Sequence, residues 1–266
     1  MARLTGAIPF TGSIGNLSAF TRRDLDKPII RTKGGPTKAQ IKKKPSFQNT
    51  RYNNTEWKGV TAMTESIRYN MHIQKHLADY NFTGDINGLG KKMQVADTIG
   101  AKGERAVLLS KCRYLLEGFS LNKRILFDSV LRQPIKSVID RVNNSVQLNL
   151  PAIYPGINFI NPGKSPLYRF VFMLGFVSDH SYDARRDAYK AIISDIPGPV
   201  YSNTEWVSVQ KKTATTSVFL QAQNPIVLEE AVTLIVSTGI EFGIPVADGS
   251  IDYVKYSGTA KLLKLG

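Results

Sequence analysis

The chain has only three histidines, the side chain best suited to acid–base chemistry near neutral pH and a common metal ligand. His72 and His76 are four residues apart in a segment of helical periodicity, a spacing that lets two imidazoles face one metal ion. The residues between them, Ile-Gln-Lys, lack the glutamate that a zinc protease uses as its base. Cys112 is the only cysteine, so a third ligand would have to be a distant carboxylate. We therefore interpret the pair as polar positions on an amphipathic helix.

Residues 84–92 have the glycines and lysines of a phosphate-binding loop, but not its spacing. No Ser or Thr follows the lysines, and no apolar strand precedes the stretch. Asp85, Asn87 and Gly88 resemble the start of a calcium loop that lacks its later acidic positions, so we predict an ordinary loop. The chain has no G-x-S-x-G motif, and the neighbouring carboxylates Glu229-Glu230 would diverge on a strand. The sequence thus predicts a protein that is not an enzyme, with no catalytic residues, cofactor or metal site.

The strongest compositional signal is a net charge of +14, which is concentrated near the N-terminus. Residues 1–59 have twelve basic and three acidic side chains, residues 60–141 have a net charge of +5, and residues 142–266 have ten side chains of each sign. This distribution indicates a neutral body joined to a segment that meets an anionic partner or an acidic surface. The candidate contacts with nucleic acid or a protein partner are Arg22, Arg23, Arg31, Lys33, Lys38, Lys42, Lys43, Lys44 and Arg51.

The aromatic residues Phe47, Tyr52 and Trp57 are interleaved with these basic residues. Basic side chains neutralise phosphates and aromatic faces stack on bases, so one alternative is nucleic-acid binding by segment 22–58. In the other alternative the aromatic residues belong to a helix core and the lysines form its solvated face. The chain has no RRM, KH or zinc-finger signature that would favour the first alternative.

Residues 1–35 have the pattern of an extended arm. Apolar stretches at 8–11, 17–21 and 28–32 are separated by a glycine-rich turn at 12–16 and a polar turn at 22–27. Such short strands are marginal alone in water, yet they are too apolar for a free tail. We therefore predict that the arm lies against another subunit. The candidate assembly residues are Ile8, Phe10, Ile14, Leu17, Phe20, Ile29 and Ile30.

Three helices are predicted between the arm and residue 133. Thr37 and Gln40 have the spacing of a capping box that begins a short helix. A second helix is predicted to end near residue 80 and a third to span 104–116, whereas 121–131 fits either a helix or a strand. Four residues at helical spacing predict the buried stripe of the second helix: Val60, Met63, Ile67 and Met71.

From residue 134 the apolar period becomes that of strands. Residues 135–150 have the pattern of a hairpin about Asn143-Asn144, and the apolar run 167–177 predicts a central strand. Further strands are predicted at 189–193, 206–209, 215–221, 231–237 and 251–256. The whole pattern predicts an α+β protein with an extended basic N-terminal arm (1–59), a helical middle (60–133) and a C-terminal antiparallel β-sandwich of immunoglobulin-like type (134–266).

About the first 50 residues resemble a known group of proteins. Gly12-Ser-Ile-Gly-Asn-Leu17, a basic hairpin that ends in Ile29-Ile-Arg-Thr-Lys33, and the step Pro36-Thr37-x-x-Gln40 are similar to an uncharacterised family of Bacteroidota proteins. That family opens with a hairpin of the type S-G-K-V-G-N, where this chain has Ser13-Ile14 in place of Lys-Val. The family brings no known activity or site residues, so the resemblance implies only an arm followed by a β-domain.

These patterns predict a non-enzymatic structural protein that forms a homo-oligomer, such as a filament, a ring or a shell, through its N-terminal arm and β-domain. The alternative is a nucleic-acid-binding protein, and a shell that packages nucleic acid would combine both. No stretch approaches the roughly 18 to 20 apolar residues of a membrane span. Residues 1–10 lack the apolar core of a signal peptide. We therefore expect a cytoplasmic protein by default, with release as part of an extracellular assembly left open.

Overall fold

The computed structural model of the chain describes residues 2–3, 10–22, 27–223 and 226–266. The chain divides into two compact units, Met1–Arg51 and Tyr52–Gly266. We call them the N-terminal unit and the second unit. The predictions made for Ile8 and Arg23 lie outside the described residues.

The N-terminal unit contains a four-stranded antiparallel sheet. Its strands are β1 (Ala2–Arg3), β2 (Gly12–Ile14), β3 (Leu17–Phe20) and β4 (Ile29–Thr32). They lie in the order β1-β4-β3-β2. The predicted hairpin is confirmed, but the turn predicted at 12–16 is too wide. Only Gly15-Asn16 turns, because Gly15 adopts a positive φ of 55° that lets two residues close the hairpin.

A short helix, α1 (Lys38–Lys43), follows the sheet and begins at the predicted capping box. Thr37 Oγ1 accepts a hydrogen bond from the Gln40 amide at 3.2 Å, and Gln40 Oε1 accepts one from the Thr37 amide at 2.8 Å. Two of the first-turn amide groups, which have no partner inside the helix, are satisfied in this way. This prediction is confirmed.

The remaining helices are α2 (Gln48–Asn70), α3 (Thr83–Val95) and α4 (Phe127–Val130), with 3-10 helices at Pro45–Phe47, His72–Leu77 and Arg113–Leu115. The four residues of the predicted stripe are all buried, but α2 ends at Asn70 rather than near residue 80, so Met71 lies just beyond the helix. The loop predicted at 84–92 is wrong, because this segment belongs to α3. Its Gly90 allows a close helix contact, since a Cβ there would lie 2.8 Å from Thr64 Cγ2. Ile86 and Met93 of α3 are fully buried, so tertiary packing offsets the low helix propensity of its glycines.

The helix predicted over 104–116 is also wrong. Carboxylates outside this segment accept hydrogen bonds from its backbone amides in place of the carbonyl groups of a helix. The Ala106 amide donates to Asp97 Oδ2 at 2.7 Å, and the Ser110 amide donates to Asp179 Oδ1 at 2.9 Å. Both acceptors lie outside the segment, so its own periodicity did not indicate them.

A buried ion cluster fixes α2 against α3 within the second unit. Glu56 of α2 is fully buried, and its carboxylate accepts hydrogen bonds from Lys91 Nζ at 2.6 Å, Arg105 Nε and Nη2 at 2.7 Å each, and the Gly103 amide at 2.9 Å. Burial alone would raise the pKa of Glu56, but Arg105, Lys91 and the Gly103 amide overcome it and lower the pKa to about 2. Glu56 is therefore a structural carboxylate that stays ionised.

The β-rich part of the second unit contains β5 (Lys136–Asp140), β6 (Ser145–Leu150), β7 (Leu167–Ser178), β8 (His180–Asp183), β9 (Ala188–Ala191), β10 (Val200–Asn203), β11 (Val207–Ser208), β12 (Thr216–Gln221), β13 (Val232–Pro245), β14 (Ile251–Tyr253) and β15 (Thr259–Leu265). The predicted hairpin at 135–150 and the central strand at 167–177 are confirmed as β5–β6 and β7. Sequence patterning missed β8, β10 and β15, and it predicted only the first half of β13.

These strands form antiparallel sheets. One sheet of six strands has the order β10-β7-β13-β14, with β11 also paired to β7 and β15 to β13. A three-stranded sheet has the order β12-β6-β5, and β8 pairs with β9. The long pair β7 and β13 is the centre of the unit, with Leu174 opposite Val236.

Both faces of the six-stranded sheet are buried. Phe172 and Phe176 of β7 share one core with Leu148 of the three-stranded sheet, whereas Met173 shares a second core with Met63 of α2. The structure is thus a mixed fold of helices and antiparallel sheets. The finer prediction of an immunoglobulin-like sandwich is not confirmed, because helices rather than solvent cover the second face of the larger sheet.

Candidate functional site

The sequence-predicted site residues that the structure describes all lie in the N-terminal unit, so this unit is the candidate site. The assembly residues differ in exposure. Ile29 is buried, and Phe10, Phe20 and Ile30 are partly buried. Ile14 is 61% exposed and Leu17 is 37% exposed. The sheet therefore covers part of its own apolar surface and leaves the part at the β2–β3 hairpin open.

The two exposed apolar residues lie side by side. Ile14 of β2 is directly opposite Leu17 of β3, so both side chains are on the same face of the sheet. Strand β2 is one of the two outer strands of the sheet, and its outer edge has no strand partner among the described residues. Lys33 stabilises the turn that joins the two strands, since its Nζ donates to the Gly15 carbonyl at 3.1 Å. Lys33, predicted as a partner contact, thus also has a structural role.

The lysines of α1 and its C-terminal end form an exposed basic cluster. Lys38, Lys42, Lys43 and Lys44 are all exposed, and within the described ranges none of them forms an ion pair. Residues 1–51 have eleven basic and two acidic side chains in all, a net charge of +9. The basic cluster therefore has little internal compensation and presents a positive field to solvent.

The described arginines of the predicted contact set are Arg22, Arg31 and Arg51, and the contacts of Arg31 and Arg51 lie within the N-terminal unit. Arg51 Nη1 donates to the carbonyl groups of Ile41 at 2.7 Å and Lys44 at 3.0 Å, so it caps the C-terminal end of α1. The guanidinium of Arg31 lies 5.3 Å from the centre of the Phe20 ring, a cation–π contact that leaves Arg31 exposed. Arg22 is exposed. The structural role of Arg51 was not predicted, since ten residues separate it from its partner Ile41.

The interleaved aromatic residues do not form one surface. Phe47 is partly buried in the N-terminal unit. Tyr52 packs inside the second unit, where a Cβ on Gly103 would lie 2.5 Å from its ring. Trp57 is 46% exposed. The predicted row of stacking aromatic side chains is therefore reduced to Trp57, which lies outside the N-terminal unit.

The other residue groups considered from the sequence are engaged in local contacts. His72 lies in a 3-10 helix and its Nδ1 is 2.9 Å from the Tyr69 carbonyl, while His76 Nε2 is 2.7 Å from Glu241 Oε1. Over the described residues, no group of three or more His, Cys, Asp and Glu side chains is placed to hold a metal ion. No described helix combines the length and apolar character that crossing a membrane requires.

Comparison of the chain with protein-family models, with curated proteins and with solved structures gives no match. The candidate site is therefore defined by its own geometry: an open strand edge beside an exposed apolar pair, and a cluster of exposed lysines.

Proposed function

We propose that the chain is a non-enzymatic structural protein that self-associates, with the N-terminal unit of one copy adding to the second unit of a neighbouring copy. The observation that carries this proposal is the open edge of β2 beside the exposed pair Ile14 and Leu17. An edge strand offers unpaired backbone donors and acceptors, and apolar side chains beside it favour the addition of another strand.

Charge favours contact between unlike surfaces of two copies. Two N-terminal units, each with a net charge of +9, repel each other. Residues 142–266 have no net charge, so the β-rich part of a neighbour imposes no such penalty. A contact between unlike surfaces repeats from copy to copy and produces a ring or an open filament.

The three-stranded sheet offers a suitable acceptor. Strand β5 is an outer strand of this sheet and pairs only with β6 among the described residues. Its Val138 is 62% exposed. The edge of β5 can therefore accept β2 of the next copy, with Val138 available to pack against Ile14 or Leu17.

The test is a double substitution, Ile14→Thr with Leu17→Thr, in the full-length chain. Threonine keeps the β propensity of both strands but removes apolar surface from the proposed contact. The control is Val227→Thr, which changes an apolar residue that is 95% exposed in the second unit. Sedimentation velocity over a series of protein concentrations then measures the mass of each variant after nuclease treatment.

We expect the wild type and Val227→Thr to sediment as oligomers at concentrations where the double variant is a monomer of 29.5 kDa. A wild type that stays monomeric at every concentration overturns the proposal. Equal oligomerisation of the double variant shows that another surface makes the contact, and this also overturns it.

The basic cluster supports a second candidate function, nucleic-acid binding. Lys42, Lys43 and Lys44 are exposed and without ion pairs among the described residues, so binding of phosphates releases counterions without first breaking a salt bridge. In a shell or filament, this cluster would hold packaged nucleic acid.

Charge-reversal variants distinguish a specific nucleic-acid contact at α1 from a general effect of the protein's net charge. The triple variant with Lys42→Glu, Lys43→Glu and Lys44→Glu should bind an oligonucleotide with a weaker salt dependence. The slope of log affinity against log salt concentration should become less steep by about 2 to 3, since each lost phosphate contact contributes about 0.7 to 0.9. The control reverses three exposed lysines of the second unit, Lys164, Lys211 and Lys212, with the same change in net charge. Equal effects of the two triple variants would rule out a site at α1.

The resemblance to the Bacteroidota family and the immunoglobulin-like sandwich stay predictions. Both are compatible with self-association, because the resemblance implies an arm followed by a β-domain, and the outer strands of a sandwich have edges that can pair. A solved structure of an assembled oligomer tests the sandwich together with the proposed contact.

A further inference from the structure

A cleft of about 450 Å³ lies in the second unit between the 3-10 helix His72–Leu77 and the segment that follows β14. The helix contributes His72, Lys75 and His76, and the other wall contributes Tyr253, Lys255 and Tyr256. About 180 residues of sequence separate the two walls, so sequence patterning did not bring them together. The volume falls within the range of small-molecule sites, about 300 to 1,000 Å³.

The lining of the cleft favours an anion. Lys75 and Lys255 line it, and no carboxylate is among the lining residues. The nearby Asp79 is engaged elsewhere, since its carboxylate accepts hydrogen bonds from the Lys123 and Arg124 amides. Asp252 alternates with Tyr253 along β14, which directs it to the opposite face of the strand.

The carboxylate of Glu241 contacts His76 but is already compensated. Glu241 is buried, and its Oε2 accepts a hydrogen bond from Arg169 Nε at 2.6 Å. The guanidinium of Arg169 in turn lies 4.6 Å from the Trp206 ring centre. Burial alone would raise the pKa of Glu241, but His76 and Arg169 hold it below its ordinary value. The Arg169 charge thus balances the carboxylate, and among the described residues neither Lys75 nor Lys255 forms an ion pair.

Each histidine is fixed through one ring nitrogen and keeps the other for a ligand. His72 Nδ1 is 2.9 Å from the Tyr69 carbonyl and 3.0 Å from the Tyr201 hydroxyl. His76 Nε2 is 2.7 Å from Glu241 Oε1, without the alignment of a hydrogen bond. His72 Nε2 and His76 Nδ1 have no hydrogen-bond partner in the described part of the chain. In a neutral imidazole the proton lies on the nitrogen that faces the carbonyl or carboxylate, so each of these free nitrogens can accept a hydrogen bond from a ligand hydroxyl or N–H group.

The aromatic wall is exposed and, at one residue, strained. Tyr253 is 45% exposed, and its ring meets His76 edge to face at 4.8 Å. Tyr256 is 72% exposed and has a φ of 61°, a left-handed conformation that is unfavourable for a bulky residue. Nothing in core packing requires an exposed tyrosine with this backbone, and such strain concentrates at ligand sites.

We propose that this cleft binds a small ligand in which a phosphate is joined to a planar ring, the chemistry of a nucleoside phosphate. Lys75 and Lys255 bind the phosphate, and the free imidazole nitrogens accept hydrogen bonds from hydroxyl groups of the ligand. Tyr256 stacks on the ring, with Tyr253 beside it. None of the residues that line this site belongs to the N-terminal unit.

The test is isothermal titration calorimetry of the full-length chain with AMP, inorganic phosphate and adenosine as probes. We expect saturable binding of AMP and at least about tenfold weaker binding of either fragment, because each makes only part of the contacts. Lys75→Ala with Lys255→Ala should weaken AMP binding at least about tenfold. The matched control, Lys164→Ala with Lys211→Ala, should bind as the wild type does.

A further variant separates ligand contact from folding. Tyr256→Asn places a residue that tolerates the left-handed conformation at this position. We expect it to raise the urea midpoint of the free protein while weakening AMP binding. No saturable AMP binding, or unchanged affinity in Lys75→Ala with Lys255→Ala, overturns the site. Inorganic phosphate that binds as tightly as AMP, or unchanged affinity in Tyr256→Asn, overturns the ring contact. Charge reversal at Lys42, Lys43 and Lys44 should leave AMP binding unchanged, which separates this site from the basic cluster.

Discussion

Replacing Glu56 with glutamine removes one negative charge and nearly no volume from the buried contact between α2 and α3. Glu56 holds Lys91 and Arg105 at 2.6 to 2.7 Å and also accepts the Gly103 amide. Glutamine can accept part of these hydrogen bonds, but two buried or partly buried cations then face a neutral group. The substitution therefore isolates the contribution of charge to the anchoring of α2.

The magnitude follows from the pKa of Glu56. Burial alone would raise the pKa, but hydrogen bonds from Arg105, Lys91 and Gly103 lower it from 4.5 to about 2. Each pKa unit corresponds to about 1.4 kcal/mol, so the shift corresponds to about 3 kcal/mol of stability. Removing one partner of a buried ion pair costs a similar amount, about 3 to 5 kcal/mol. We expect Glu56→Gln to lose about 3 kcal/mol at neutral pH.

The pH dependence gives a second, independent readout. Because the folded pKa is depressed, the stabilisation is complete above pH 4.5 and is lost as the pH falls towards 2. The difference between wild type and Glu56→Gln should therefore shrink across this window. Urea unfolding followed by circular dichroism measures it, with Glu65→Gln, an exposed position on the same helix, as control. A loss at neutral pH below about 1 kcal/mol, or a difference that does not change with pH, would refute the reasoning.

Three further predictions concern helices. Gly88→Ala should stabilise the second unit by about 0.5 to 1 kcal/mol, because Gly88 is an exposed position in α3 with free space for a Cβ. Gly90→Ala in the same helix should destabilise the second unit by about 1 to 3 kcal/mol, since its Cβ would lie 2.8 Å from Thr64 Cγ2. Urea unfolding measures both variants, and equal effects of Gly88→Ala and Gly90→Ala would contradict the packing described for α3. Thr37→Ala should weaken α1 by about 1 kcal/mol through loss of the capping box, and unchanged hydrogen exchange at its amides would contradict this.

The elements that the sequence predicts well are those with one strong periodic signal. The apolar run of β7 is continuous because both faces of the strand are buried, and the stripe on α2 is regular because α2 packs on one side. The first half of β13 was predicted for the same reason. Its second half was not, because Thr238 and Glu241 are polar residues that the fold buries, and Glu241 is compensated by Arg169.

The features that sequence patterning missed depend on partners that lie outside the segment concerned. Gly90 marks a close contact with α2 rather than a loop, and Asp97 and Asp179 draw residues 104–116 out of a helix. The two candidate sites differ in how far the sequence alone could indicate them. The exposed basic cluster follows from composition alone, whereas the cleft beside Lys75 needs a second wall from the C-terminal region.

The central claim, self-association through the β2 edge, is tested most directly by the mass of the full-length chain in solution. Light scattering of nuclease-treated protein at low and high salt measures this mass. The claim predicts particles several times heavier than 29.5 kDa that persist at high salt, because backbone pairing and apolar contact are not screened. A mass of 29.5 kDa at both salt concentrations would contradict it.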